Sequence, residues 1–212
     1  KMVVLGFSSS PIRSGNVDRM VLALLDMSGR PAEFVNLYDL SFGPCMACAN
    51  LCAPDNMCKL DDDLKPFYPK MLEAKALVLG TPSYFNSMNS LMAMFLERLW
   101  SFRHNQFPLE RKPFAVVSSG AFREPKGSVE AVRRRMTAYR ARFLGSVAFA
   151  SGIAPCYKCG YGLTCRVGSL YRVYGEEGLE RLRKGEDLFR RWEDPPEVVA
   201  AMTELGEKFA SL

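Results

Sequence analysis

Seven cysteines fall in two groups: Cys45, Cys48, Cys52 and Cys58 in one short stretch, and Cys156, Cys159 and Cys165 far downstream. Met2 leads straight into Val3-Val4-Leu5-Gly6 without a long apolar leader, so a reducing, cytoplasmic setting is expected. Thiols stay reduced there, which makes a disulfide framework a poor explanation and metal binding or redox work a better one. Four thiolates converging from one loop can hold a [4Fe–4S] cluster. Zinc accepts the same four ligands. A Cys-x-x-Cys dithiol and plain reduced cysteines are the remaining readings. The downstream three could bind a second metal with an unknown fourth ligand, meet a neighbouring subunit, or fold quietly in a Gly-rich loop. His104 is the sole histidine, which leaves a Ser–His–Asp triad almost nothing to work with. Just past a helix end, it reads as a polar terminus.

The elements that must position these groups follow from periodicity. Val3–Phe7, Ala32–Val35, Ala76–Gly80, Phe114–Val117 and Ser146–Ala150 are short apolar runs that read as buried strands. Helical patterns alternate with them: from Asn16, from the acidic Asp61-Asp62-Asp63, over Asn89–Arg103, and over the basic Ser128–Phe143. Glu176–Lys184 and Glu197–Phe209 follow the last strand. Such alternation predicts one α/β domain over residues 2–212, with a doubly wound parallel five-stranded sheet of order 2-1-3-4-5. The cysteine loop, 43–60, and a C-terminal helical extension, 152–212, are additions to that core.

In an open α/β sheet, ligands bind beyond the carboxyl ends of the strands, so three loops matter. After strand one, Ser8-Ser9-Ser10-Pro11-Ile12-Arg13-Ser14-Gly15-Asn16 opens a helix, where backbone N–H groups and the helix dipole suit an anion. It is neither a Walker loop nor a Gly-x-Gly-x-x-Gly turn. After strand three, Pro82, Ser83, Tyr84, Phe85, Asn86 and Ser87 offer a stiff, aromatic, polar wall. After strand four, Ser118-Ser119-Gly120 lets backbone approach a ligand closely. A phosphate cradle, an aromatic wall and a small polar loop together describe a site for FMN. With strand two beside strand one, the cysteine loop is expected to start about 10 Å from the crevice, close enough for electron exchange.

These residues resemble the flavodoxin-like NADPH-dependent FMN reductases, and within them the iron–sulfur flavoproteins. Ser9-Ser10-Pro11 to Gly15-Asn16 resembles that family's phosphate loop. Gly80-Thr81-Pro82-Ser83-Tyr84, continuing to Phe95-Leu96-Glu97-Arg98, resembles its Pro-x-Tyr…Phe-x-Asp-Arg segment. Cys45 to Cys58 followed by Asp61-Asp62 resembles its compact cysteine motif, with one extra residue in the middle spacing. Ser9, Ile12 and Val17 stand where the family has Gly, Arg and Thr, and Arg13 is placed to supply the displaced cation.

The resemblance implies a flavodoxin-like fold with FMN held at its phosphate by Ser8, Ser10, Arg13, Ser14, Asn16 and Val17. Pro82, Ser83, Tyr84, Phe85, Asn86 and Ser87 would line the ring, and Ser119 with Gly120 its pyrimidine end. Cys45, Cys48, Cys52 and Cys58 would hold a [4Fe–4S] cluster, with zinc the alternative. NAD(P)H is the expected electron donor and a quinone or free flavin the acceptor. A carrier exchanging electrons with ferredoxin is the rival reading, and a zinc-stabilised binding module a third. The resemblance also implies a homodimer or homotetramer.

Composition sets outer limits. In 212 residues, 48% are hydrophobic, which is ordinary for a globular domain, and no apolar run nears the ~18 residues of a membrane span. A net charge of +5 without aromatic interleaving or a binding module argues against nucleic acid. Arg133-Arg134-Arg135, with Arg140 and Arg142, reads as a solvated helix face.

Overall fold

The computed structural model describes residues 3–153 and 159–212. Among the described residues there are six strands: β1 (Val4–Ser8), β2 (Ala32–Asn36), β3 (Ala76–Tyr84), β4 (Ser87–Met88), β5 (Pro113–Gly120) and β6 (Arg142–Ala150). Five run parallel in the order β2-β1-β3-β5-β6, the expected doubly wound arrangement. The sixth, β4, is two residues long and pairs antiparallel with the end of β3. Successive side chains of a strand point to opposite faces. Leu77 and Leu79 of β3 therefore join one apolar layer, while Ala76 and Val78 join the other.

Helices α1 (Asn16–Met27) and α7 (Pro196–Ala210) cover one face through Met20, Leu24, Met202 and Phe209. The other face is covered by α3 (Phe67–Glu73), α4 (Ser90–Arg98) and α5 (Lys126–Ala138), through Tyr68, Met71, Phe95 and Val132. One turn, α2 (Ala49–Cys52), lies inside the cysteine loop, and α6 (Ser169–Arg183) turns at Gly175. Glycine matters at Gly80, where a Cβ would stand 2.4 Å from Val21 Cγ2. Its absence lets α1 cross β3 closely and sets the N-terminus of α1 over the crevice.

Three helical boundaries depart from the sequence pattern. The acidic triplet starts no helix: α3 begins at Phe67, and Asp61, Asp62 and Asp63 instead accept from Lys65, Arg98 and the Ser41 N–H. Beyond Arg98, Leu99–Arg103 tightens into a 3-10 turn. The basic helix stops at Ala138; Arg140 takes φ +59°, and Arg142 already pairs with Pro113 in the sheet. Arg140 and Arg142 therefore leave the basic face, because pairing along β5 outweighs continuing a helix. Among the described residues, no helix is long and apolar enough to cross a membrane.

Candidate functional site

The loop between β1 and α1 is held from below by buried polar groups. The Asp18 carboxylate accepts from Ser8 Oγ at 2.5 Å and from the Ser14 N–H at 3.0 Å. Asn36 Nδ2 donates to the Ser10 carbonyl at 3.1 Å and to Asp18 at 3.2 Å. From the other side, Asn89, the N-cap of α4, donates from Nδ2 to the Ser9 carbonyl at 2.7 Å. These bonds use the side chains inward and leave backbone N–H groups at the start of α1 for an anion.

Above this loop lies a cleft of about 200 Å³ at the carboxyl ends of the strands. Of the residues singled out in the sequence, Ser10, Asn16, Val17, Pro82, Ser83, Tyr84, Ser119 and Gly120 line it. Ser8 faces Asp18 instead, and Ser14 contributes its N–H to the same carboxylate. Arg13 is turned away, paired with Asp39 through contacts of 2.6 and 3.0 Å, so the expected phosphate cation is already engaged. Phe85 and Asn86 form the tip of the β3–β4 hairpin with φ of +52° and +57°, the signature of a type I′ turn. Neither they nor Ser87 line the cleft, and the Phe85 ring is fully exposed.

The four upstream cysteines line a second cavity, of about 110 Å³, together with Arg98, Trp100 and Ser101. Arg98 is almost wholly buried. Its guanidinium donates to both oxygens of Asp62 at 2.6 and 3.2 Å, to the Gly43 carbonyl at 2.9 Å, and to Cys58 Sγ at 3.3 Å. One guanidinium thereby ties both ends of the cysteine loop. Burial works against its charge, but Asp62 and Cys58 outweigh that and hold it firmly protonated. His104 caps the Leu99–Arg103 turn, as its position suggested, and its Nε2 lies 3.0 Å from Cys52 Sγ, which lines this cavity. Burial, then the neighbouring Cys48 and Cys58, push the Cys52 thiol up. Among the described residues, no three His, Cys, Asp or Glu side chains stand close enough to hold a single metal ion. The thiols surround a space and do not meet at a point.

Arg98, at the C-terminal end of α4, lines this cavity, whereas the N-cap Asn89 braces the loop beneath the cleft, and the two share no lining residue. The cysteine loop does not border the crevice: Arg98 and Asp62 draw it toward the far end of α4. Of the downstream cysteines, Cys156 lies outside the described residues. Cys165 Sγ accepts the Gly168 N–H at 3.0 Å, and Cys159 is exposed.

The family model for NADPH-dependent FMN reductases matches residues 2–155. The chain belongs to that family. The curated relatives it matches are iron–sulfur flavoproteins. An iron–sulfur flavoprotein of Methanocaldococcus jannaschii is 34% identical over 125 residues, 58% of this chain and 64% of the relative. Among solved structures, an azoreductase from Bacillus anthracis str. Sterne superposes with a TM-score of 0.59 at 12% identity, covering 100% of both chains. The Streptococcus pneumonia TIGR4 flavodoxin gives 0.54 at 15% identity, covering 100% of this chain and 99% of that one. At such identities the likeness concerns the fold, which is flavodoxin-like.

In this FMN reductase family member, the sequence pattern missed several residues that build the two cavities. Asp18, Asn36 and Asn89 are buried polar groups in the first turn of α1, at the end of β2 and at the N-cap of α4, and polar residues at the edges of apolar runs are the signal they carry. Arg98 stood in the sequence only as part of the Phe95–Arg98 segment, and Ser151 only as the residue after β6, while Phe189 carries no local signal because it reaches the cleft from a distant element. A larger groove, about 470 Å³, lies along the outer edge of β6 between α5 and α7. It borders neither the thiols nor the phosphate loop, and its Arg133 is already paired with Glu130.

Proposed function

We propose that the protein is an FMN-dependent oxidoreductase carrying a [4Fe–4S] cluster, which moves electrons between NAD(P)H or ferredoxin and a small acceptor such as a quinone or flavin. One observation carries this reading. A single domain joins a cleft over a phosphate-type loop to a four-thiol cavity, with helix α4 between them. When bound, FMN supplies two-electron uptake and one-electron release, and the protein supplies position and electrostatics.

The start of α1 would hold the phosphate through N–H groups, while Tyr84, Ser119 and Gly120 would border the ring. Cys45, Cys48, Cys52 and Cys58 would hold the cluster. The buried Arg98 offsets part of the charge that four thiolates bring into a low-dielectric cavity. A setting inside the cell and a homodimer or homotetramer belong to the same reading.

The test is anaerobic purification followed by flavin, iron, sulfide and zinc analysis with a visible spectrum. FMN together with iron and sulfide is expected; zinc without iron replaces the cluster, and no flavin under any condition removes the central reading. Exposed Met46, Leu51 and Trp100 near the cysteine cavity favour a second reading, an electron carrier that docks a ferredoxin. Reduction by ferredoxin without steady-state NADH or NADPH oxidation would select it.

A further inference from the structure

Between α6 and α7, residues 186–195 cross back over the cleft as a strap. Asn16, itself part of the cleft, is 3% exposed, and its amide bonds this segment through both Nδ2 and Oδ1, with Arg19 also donating to Oδ1. Asn16 Nδ2 donates to the Arg190 carbonyl at 3.1 Å, and Oδ1 accepts the Trp192 N–H at 3.1 Å. The Arg190 N–H donates to the Ser151 carbonyl at 3.0 Å, and Arg19 pairs with Glu193 at 2.7 and 3.1 Å. Trp192 is buried with α1 and α7. Just before these anchors, Phe189 packs against Ile153, Leu170 and Leu179 and lines the cleft.

We propose that this strap is a working wall of the cofactor site: Phe189 packs against bound FMN, and strap docking on Asn16 and flavin binding stabilise each other. The proposal rests on the flavin reading above. Among the described residues lining the cleft, Tyr84 and Phe189 are the two aromatic side chains, and they arrive from elements about a hundred residues apart. Asn16 is shared between cleft and strap, so a ligand that orders the phosphate loop also orders the strap's anchor. Linkage then requires the converse: a docked strap tightens the flavin. The C-terminal extension is thus more than added length; it completes a site whose other described walls come from residues 10–151.

The test uses the full-length chain freed of flavin. FMN is titrated by fluorescence into the wild type, Phe189→Ala and Phe189→Tyr. In parallel, the wild type is digested with trypsin with and without saturating FMN, and cuts after the exposed Arg190 and Arg191 are followed by mass spectrometry. Phe189→Ala is expected to weaken FMN about ten- to a hundredfold, the range for losing an aromatic surface under a planar base. Phe189→Tyr restores most of the affinity. FMN slows cleavage at Arg190 and Arg191 several-fold but leaves cleavage at Lys59 unchanged. Unchanged affinity in Phe189→Ala, or cleavage indifferent to FMN, overturns the proposal while the wild type still binds flavin. A wild type that binds no FMN overturns the flavin reading and this proposal together. If Phe189→Ala fails to fold by circular dichroism, Phe189→Leu removes the ring and keeps apolar volume, and the protease comparison needs only the wild type.

Discussion

Asn89 and Arg98 stand at opposite ends of α4, about 14 Å apart at 1.5 Å per helical residue. Asn89 holds the phosphate loop through the Ser9 carbonyl, and Arg98 holds the cysteine loop through Cys58, Gly43 and Asp62. One helix, buried through Met92, Phe95 and Leu96, is therefore the spacer between the two cavities. A packed helix does not stretch, so the separation is built into the core.

Replacing Arg98 tests that clamp. Arg98→Gln breaks the pair with Asp62 and leaves a mostly buried carboxylate unmatched, which costs about 3–5 kcal/mol. Arg98→Lys keeps the charge but loses the fork and should fall between. Urea unfolding of the metal-free chain reads the first effect, and iron content of the anaerobic protein the second. Wild-type stability in Arg98→Gln would show that the fork does not brace the loop.

The two cysteine groups should behave differently. Cys48→Ser or Cys58→Ser is expected to bring iron and sulfide to background while FMN remains bound, whereas Cys159→Ser leaves iron unchanged. In the metal-free chain, exposed Cys45 should alkylate before Cys52, which is both shielded and less often a thiolate because burial raises its pKa. Mass spectrometry after timed alkylation gives the order.

Phe85 is a bulky residue in the left-handed region at a hairpin tip with its ring in solvent. That conformation costs on the order of 1 kcal/mol for a residue with a Cβ. Phe85→Gly should therefore raise the unfolding free energy by about 1 kcal/mol, measured by urea or thermal unfolding. A loss of stability would mean that the exposed ring is held by contacts beyond this chain's fold.

Acid should loosen the strap. Burial opposes the Glu193 charge, but Arg19 outweighs it and holds the carboxyl below its ordinary 4.5. A depressed folded pKa means stability that is present above 4.5 and lost as pH falls through the folded value. Both side chains are partly exposed, so the contribution is well under about 1 kcal/mol. Hydrogen exchange across residues 186–195 should quicken, relative to the core strands, between pH 6 and the acid side of 4.5. Equal exchange at both would exclude the pair as an anchor.

Much of this molecule was legible in local pattern. Apolar runs such as Ala76–Gly80 mark buried parallel strands because both faces of the sheet are covered. Clustered cysteines and a hydroxyl-rich turn before a helix announce themselves by composition. Other features were hidden for definite reasons. The Tyr84-to-Ser87 hairpin lacks the Asn-Gly signal of a type I′ turn, because Phe85 and Asn86 adopt it under tertiary constraint. The acidic triplet imitates a helix start, yet Asp62 serves a guanidinium 36 positions away.

By itself, then, the sequence determined the strand positions, their order and the two kinds of chemistry on offer, since burial and residue type are local properties. Only the tertiary structure decided that Arg13 is taken by Asp39, that His104 and Arg98 join the thiols, and that α4 spaces the two cavities. It also decided that Asn16 reaches across 174 positions to the strap that brings Phe189 to the cleft. Contacts at such range depend on how packed elements meet, and no periodicity within an element encodes that.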